Sequence, residues 1–239
     1  MIKLDILAVG VHPDDVELGC SGTLLSHVQQ GKICGILDLT QGELGSRGSS
    51  ELRALEASAS AKVLGVACRE QLGLKDGFFE NNYESQLKVI QIIRKYRPEI
   101  VLANAIHDRH PDHGRAAKLV ADACFYSGLA KIETSLNGEA QHAWRPKVVY
   151  HYIQDYTLKP DFVVDVSDFK EKKCEAILCF SSQFFNPQSN EPQTPISSPE
   201  FLESVFGKMS VFGRAIGVPY AEGFTVNRFV GVNNLFNLI

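Results

Sequence analysis

The chain has 239 residues, 44% of them hydrophobic, enough to bury one substantial core, and one domain spanning residues 1–239 is the expectation. Lys and Arg number 24 against 28 Asp and Glu, a formal charge of -4 with no basic patch, which argues against a nucleic-acid partner. The apolar run Ile6–Val11 is too short to span a membrane and has no signal-peptide cleavage site, and six scattered cysteines without a Cys-x-x-Cys pair fit a reducing cytoplasm.

Taken in chain order, Leu4–Val9 and Ile33–Leu39 read as buried strands, with a helix over Gly19–Gln30 between them. A second helix covers Ser50–Leu64 and stops at Gly65, and a third covers Glu84–Tyr96 ahead of Pro98. Strand Ile100–Ala103, helix Asp112–Ser127 and strand Val148–Tyr152 continue the alternation, followed by strand Phe162–Val166 and helix Asp168–Phe180. The Pro-rich loop Asn186–Pro199 is long enough for a lid, a binding loop or an oligomer contact, and helix Glu200–Gly213 and a closing strand Phe224–Val232 end the pattern. Strand–helix alternation of this kind predicts an α/β fold, a mostly parallel sheet with helices on both faces.

Ligands of such a sheet sit at the carboxyl ends of its strands. Two of those ends carry unusual chemistry here. The first strand runs out into His12-Pro13-Asp14-Asp15, and Ile100–Ala103 runs out into His107-Asp108-Arg109-His110-Pro111-Asp112-His113. Two imidazoles and a carboxylate can hold zinc with a position left open, and water on such an ion has its pKa lowered to about 7. A second carboxylate can then act as general base, and a nearby His, if protonated, can stabilise the oxyanion and donate to the leaving amine. Taken singly, each residue has an ordinary reading: Asp14 and Asp15 as turn residues, Asp112 as a helix cap. Two His-Pro-Asp segments at two strand ends of one sheet favour the metal site.

These segments, together with Leu39–Glu43, Arg53 and Glu56, Asp108–Gly114, Ser182-Gln183-Phe184 and Tyr220–Phe224, resemble the LmbE/PIG-L family of zinc-dependent N-deacetylases. Within it they are most similar to the bacillithiol-biosynthesis branch, which acts on N-acetylglucosaminyl malate. The resemblance implies a Rossmann-like fold, zinc (with iron(II) as the alternative ion in the cell) on His12, Asp15 and His113, and Asp14 as general base. His110 is then the oxyanion stabiliser and general acid, with Asp112 orienting it. It further implies a cytoplasmic homo-oligomer, a hexamer in several members, whose partner is a small amino-sugar substrate rather than nucleic acid or membrane.

Substrate contacts are expected from Arg109, between the two rim segments, from Arg53 on the second helix, and from Glu43 on the Gly-rich loop. For Arg53 the plainer reading is a solvated helix residue beside an acidic neighbour, and for Glu43 an ordinary loop residue. Other functions fit parts of the pattern. Non-haem iron oxygenases use two His and one carboxylate but need no adjacent carboxylate base. A metal- or sugar-binding protein without activity would need neither Asp14 nor His110. The same chemistry on another N-acyl amino sugar, such as diacetylchitobiose, changes only the substrate.

Overall fold

The computed structural model describes residues 2–238. Nine strands and six α-helices follow one another among these residues: β1 (Ile6–Gly10), α1 (Asp15–Gln29), β2 (Cys34–Asp38), α2 (Ser50–Leu64), β3 (Cys68–Gln71), α3 (Tyr83–Tyr96), β4 (Ile100–Ala103), α4 (Pro111–Tyr126), β5 (Ser135–Leu136), β6 (Glu139–Ala140), β7 (Val148–Tyr152), β8 (Phe162–Asp165), α5 (Lys170–Leu178), α6 (Pro199–Ala215) and β9 (Ala221–Thr225). Seven of the strands form one sheet in the order β3-β2-β1-β4-β7-β9-β8. The pairs from β3 through β7 are parallel, and β9 runs antiparallel between β7 and β8. The expected α/β architecture is therefore present.

Its two apolar layers follow from strand alternation. Leu7 and Val9 of β1 face a core shared with Val89, Ile90 and Ile93 of α3 and Leu119 and Val120 of α4. Ile6 and Ala8 face the opposite core, with Val16 and Leu24 of α1 and Ala176 of α5. A strand buried on both sides has to be apolar throughout, which is why β1, β2 and β4 are readable as continuous apolar runs. Close approach of α1 to β7 depends on Gly19, where an added Cβ would sit 2.2 Å from the Tyr152 ring. Tyr152, buried among these residues, donates its hydroxyl to Val9 O at 2.9 Å.

Several elements differ from expectation. The first helix begins at Asp15, not Gly19, and kinks at Cys20, whose φ of -148° lies outside the helical range. The edge strand β3 is not expected from sequence, because Cys68-Arg69-Glu70-Gln71 is polar and only part-buried. The β5–β6 hairpin turns through Asn137-Gly138, both at positive φ, a hairpin signal present in the sequence. The closing strand occupies Ala221–Thr225, and Val226 onward leaves the sheet, with Phe229 99% and Phe236 92% exposed. Among the described residues no helix is long and apolar enough to cross a membrane.

Candidate metal and catalytic site

The chain winds from β1 out to β2 and β3, then returns to place β4 on the other side of β1. This reversal opens a crevice at the carboxyl ends of β1 and β4, the position at which doubly wound sheets bind ligands. His12–Asp15 leave β1 there and Asp108–His113 leave β4 there, so the two sequence segments meet. They form the floor of a cavity of about 690 Å³ that includes His12, Asp14, Asp15, His110 and His113.

Asp15 is the centre of the floor. Its Oδ2 accepts the backbone N–H groups of Val11 (2.9 Å) and His12 (3.0 Å) and the side-chain amide of Asn104 (3.0 Å). Its Oδ1 accepts from Gln154 Nε2 at 3.0 Å and lies 3.2 Å from His113 Nε2. On the other side His12 Nδ1 lies 3.7 Å from Oδ2. Each imidazole is backed at its remaining nitrogen by a carboxylate: Asp76 Oδ1 is 2.9 Å from His12 Nε2, and Asp108 Oδ2 is 2.5 Å from His113 Nδ1. A ring nitrogen facing the site with a carboxylate behind it is how metal-binding histidines are oriented.

The electrostatics ask for a cation in the same place. Burial disfavours charge on His113, yet Asp15 and Asp108 hold its pKa up to about 10. Burial likewise opposes the Asp15 anion, but His113 and His12 keep its carboxyl well below the usual range. His12 is raised against its own burial by Asp76 and Asp15. Two nitrogens and a shared, ionised carboxylate are a donor set that fits a divalent ion such as zinc. His12, His110 and His113 also bring one nitrogen each within 4.8 Å of one another, as His12, Asp76 and Asp112 do with their nitrogen and carboxylate oxygens.

Beside this set, Asp14 occupies a strained backbone conformation, φ 129° and ψ -23°, at the start of α1. A non-glycine residue at such φ costs of order 1–3 kcal/mol, about what functional sites carry. Burial and the Asp15 charge push its carboxyl up to about 7, against the opposing pull of Arg53. Arg53, 4% exposed, donates to Asp14 Oδ2 and Pro13 O, both at 2.9 Å, and to Gly42 O at 3.3 Å. Gly42, at φ +64°, leaves room for it: a Cβ there would lie 1.9 Å from Arg53 Nη1. Arg53 is therefore a buried partner of Asp14 and not a solvated helix residue.

His110 caps α4, and its Nδ1 accepts the Asp112 backbone N–H at 3.3 Å, which puts the ring proton on Nε2. Burial, with the neighbouring His12 and His113 charges, lowers its pKa. The contact from Asp112 to His110 is made by backbone; the Asp112 carboxylate instead accepts from Gly77 N–H (2.9 Å) and Arg115 (2.7 Å).

Glu43 is turned away from the cavity. Its carboxylate takes the Asp76 and Gln41 N–H groups at 2.8 and 3.1 Å, bracing the loop that presents Asp76. Arg109 is on the cavity wall, 43% exposed in its side chain, and pairs with Asp155. Sequence reasoning does not single out Asp76, Asn104 or Gln154. Asp76 follows the unexpected strand β3, and Asn104 and Gln154 follow β4 and β7 as ordinary polar residues; a position just past a strand end is the only available signal. Cys20, Cys34, Cys68, Cys124, Cys174 and Cys179 are all free.

Comparisons with known proteins match the chain to a family model and to several relatives. The PIG-L family model, GlcNAc-PI de-N-acetylase, matches residues 7–124. A diacetylchitobiose deacetylase of Thermococcus kodakarensis is 31% identical over 94% of this chain and 82% of its own length. A probable N-acetyl-alpha-D-glucosaminyl L-malate deacetylase 2 of Bacillus anthracis is 26% identical over 75% of this chain and 81% of its own. Among solved structures, a conserved protein from Thermus thermophilus superposes with a TM-score of 0.84, at 36% identity over 96% of this chain and 98% of that one.

Proposed function

The chain belongs to the PIG-L family of deacetylases, and on that premise we propose that it is a zinc-dependent hydrolase releasing acetate from the N-acetylglucosamine unit of a malate-bearing substrate. One observation carries the reading of the chemistry: a carboxylate, Asp15, stands between two imidazoles each backed by its own carboxylate, with Asp14 lining the same cavity and the His110 ring packed 4.8 Å from His12 and 5.2 Å from His113. His12, Asp15 and His113 are the residues that would hold zinc, which supplies Lewis acidity to polarise the acetamide carbonyl.

The remaining roles belong to the chain. Asp14, raised by burial and held by Arg53, accepts the proton of the attacking water. His110, neutral and with its ring proton on Nε2, donates that N–H as a hydrogen bond to the developing oxyanion. The proton that Asp14 takes from the water is the one that goes to the departing amine, so the general-acid role expected of His110 passes to Asp14. Asp112 fixes that ring through its backbone N–H. The apolar side chains Phe201, Val205, Met209 and Phe212 line the outer wall and exclude water from the reacting amide.

The malate reading is supported by Arg109 on the cavity wall, because a guanidinium matches a carboxylate in bidentate geometry. A neutral disaccharide substrate is the second reading, favoured by the extent of the match to the Thermococcus deacetylase. Acetate release by the zinc-loaded protein from N-acetylglucosaminyl malate, diacetylchitobiose and N-acetylglucosamine tests both. The expected result is the highest kcat/KM on the malate compound. Higher efficiency on diacetylchitobiose would reverse the order of the readings, and release from none of the three would remove the deacetylase assignment in favour of a binding role.

A further inference from the structure

Lys208 projects from α6 into the same cavity, half-buried between the apolar residues Val205 and Met209. Its ammonium meets two oxygens, both backbone carbonyls, of Gln154 and of Asp155 (2.6 Å to the latter). Among the described residues it has no carboxylate partner; the nearby Asp155 side chain is taken by Arg109. Burial pushes the Lys208 pKa below its ordinary value. A half-buried cation without an anionic partner is costly unless something supplies the opposite charge. At this end of the cavity Arg109 and Lys208 stand with Asp155, and Asp108, which accepts the Tyr156 N–H at 2.7 Å, is the acid of the floor that borders them. The two cations thus flank the Gln154–Asp155 turn, which borders the acidic floor through Gln154 on Asp15 and Tyr156 on Asp108.

We infer that Lys208 is a specificity-determining residue that binds a carboxylate of the group attached to the sugar, sharing an anionic ligand with Arg109. This rests on the hydrolase reading above and names the residue on α6 that completes it. A dicarboxylate can satisfy both cations at once, with one carboxylate competing with Asp155 for the exposed Arg109 fork and the other on the Lys208 ammonium. A neutral sugar leaves Lys208 on its carbonyls. The competing role for Lys208 is a prop: it holds the Gln154–Asp155 turn, and Gln154 in turn holds Asp15.

The two roles separate experimentally with Lys208→Gln and Lys208→Arg in the metal-loaded protein. Recognition predicts that Lys208→Gln lowers the ratio of kcat/KM for N-acetylglucosaminyl malate over diacetylchitobiose by about ten- to a hundred-fold, through KM, the range of one charged hydrogen bond. Lys208→Arg should recover most of that ratio. An equal fall on both substrates would make Lys208 a prop and overturn the inference, as would an unchanged ratio. A second readout needs no turnover. Free L-malate at millimolar concentration should raise the Tm of wild type and of Lys208→Arg more than that of Lys208→Gln. Chelation of the metal by malate acts on all three proteins alike, so the difference carries the result. Equal shifts would overturn the inference even if the protein hydrolyses neither sugar; failure of both sugars with the malate difference intact would overturn only the hydrolase reading.

Discussion

Arg53 Nη2 lies 2.9 Å from Asp14 Oδ2, and both side chains are buried. The pair joins the second helix to the strained turn after β1, and Arg53 also donates to Pro13 O at 2.9 Å. Removing one partner of a buried pair costs about 3–5 kcal/mol, because the other charge is left without compensation. Arg53→Met is therefore expected to destabilise the fold by about 3 kcal/mol or more, a fall in Tm of roughly 6–12 °C for a domain of this size. Thermal unfolding of the purified variant checks it, and a Tm within a degree of wild type would show that Arg53 is dispensable to the turn.

Metal content tests the ligand set. His113→Ala should lose most of the bound zinc under dialysis conditions that leave one ion per chain in wild type, since three protein ligands are the usual complement of a catalytic zinc site. Asp108 reaches His113 at its far nitrogen and also accepts the Tyr156 N–H, so Asp108→Asn should weaken zinc binding by roughly 10–100-fold without abolishing it. Full occupancy in His113→Ala would move the site to the other cluster that includes His12, with Asp76 and Asp112.

Base and ligand are separable in the same way. Asp14→Asn keeps the contact with Arg53 through its amide oxygen and lacks the proton acceptor, so it should retain zinc and lose about 10²–10⁴-fold in acetate release. His110→Ala should fall in a similar range with zinc retained. Wild-type rates in Asp14→Asn would assign water activation to another group.

The parts of this site that can be read from sequence are those carried by contiguous segments. His12–Asp15 and Asp108–His113 each hold several reactive side chains in a short stretch at the end of an apolar strand, and the topology of β1 and β4 then brings the two stretches together. What supports them is not legible, because it comes from single polar residues far apart in the chain. Asp76 reaches His12 across a separation of 64 residues, and Gln154 reaches Asp15 across 139. Strand β3 escapes for a related reason: an edge strand is covered on fewer sides, so Arg69 and Glu70 can stand where a central strand needs Val or Ile. Arg53 is visible as a residue, but its burial depends on Gly42 and on the conformation of Asp14, neither of which leaves a periodic trace.

A second buried pair lies outside the reaction. Lys173 of α5, 0% exposed, donates to Glu222 of β9 at 2.6 Å and to Leu18 O at 2.8 Å. Glu222 also accepts the N–H groups of Gly22 (2.9 Å) and Thr23 (2.7 Å) on α1, so three elements converge on one carboxylate. Lys173→Met should destabilise the protein by about 3–5 kcal/mol, read as a lower denaturant midpoint at an unchanged slope. Adding Glu222→Gln should recover part of that loss, since the amide removes the buried charge while its oxygen still accepts from α1. A double variant no more stable than Lys173→Met would mean that packing of the lysine stem, and not its charge, holds α5 in place.

The last expectation concerns Asp155, which pairs with Arg109. An anionic substrate has to compete with that carboxylate for the guanidinium, so the pair sets a threshold on binding. Because both side chains are well exposed, solvent screens their attraction and the competition is mild. Asp155→Asn leaves Arg109 unpaired and adds one unit of positive charge to this end of the cavity. KM for N-acetylglucosaminyl malate should fall by a few-fold, while KM for diacetylchitobiose, which has no carboxylate to gain from the change, should stay near its wild-type value. Arg109→Ala should act in the opposite sense, raising KM for the malate compound by roughly ten-fold or more. The added charge also acts from outside the ring of acids around Asp15, so kcat should move little in either variant. Steady-state kinetics of the two variants on the two substrates give the four ratios needed. If Asp155→Asn raises KM for the malate compound, Asp155 contributes to the site as a substrate contact and not as a competitor for Arg109.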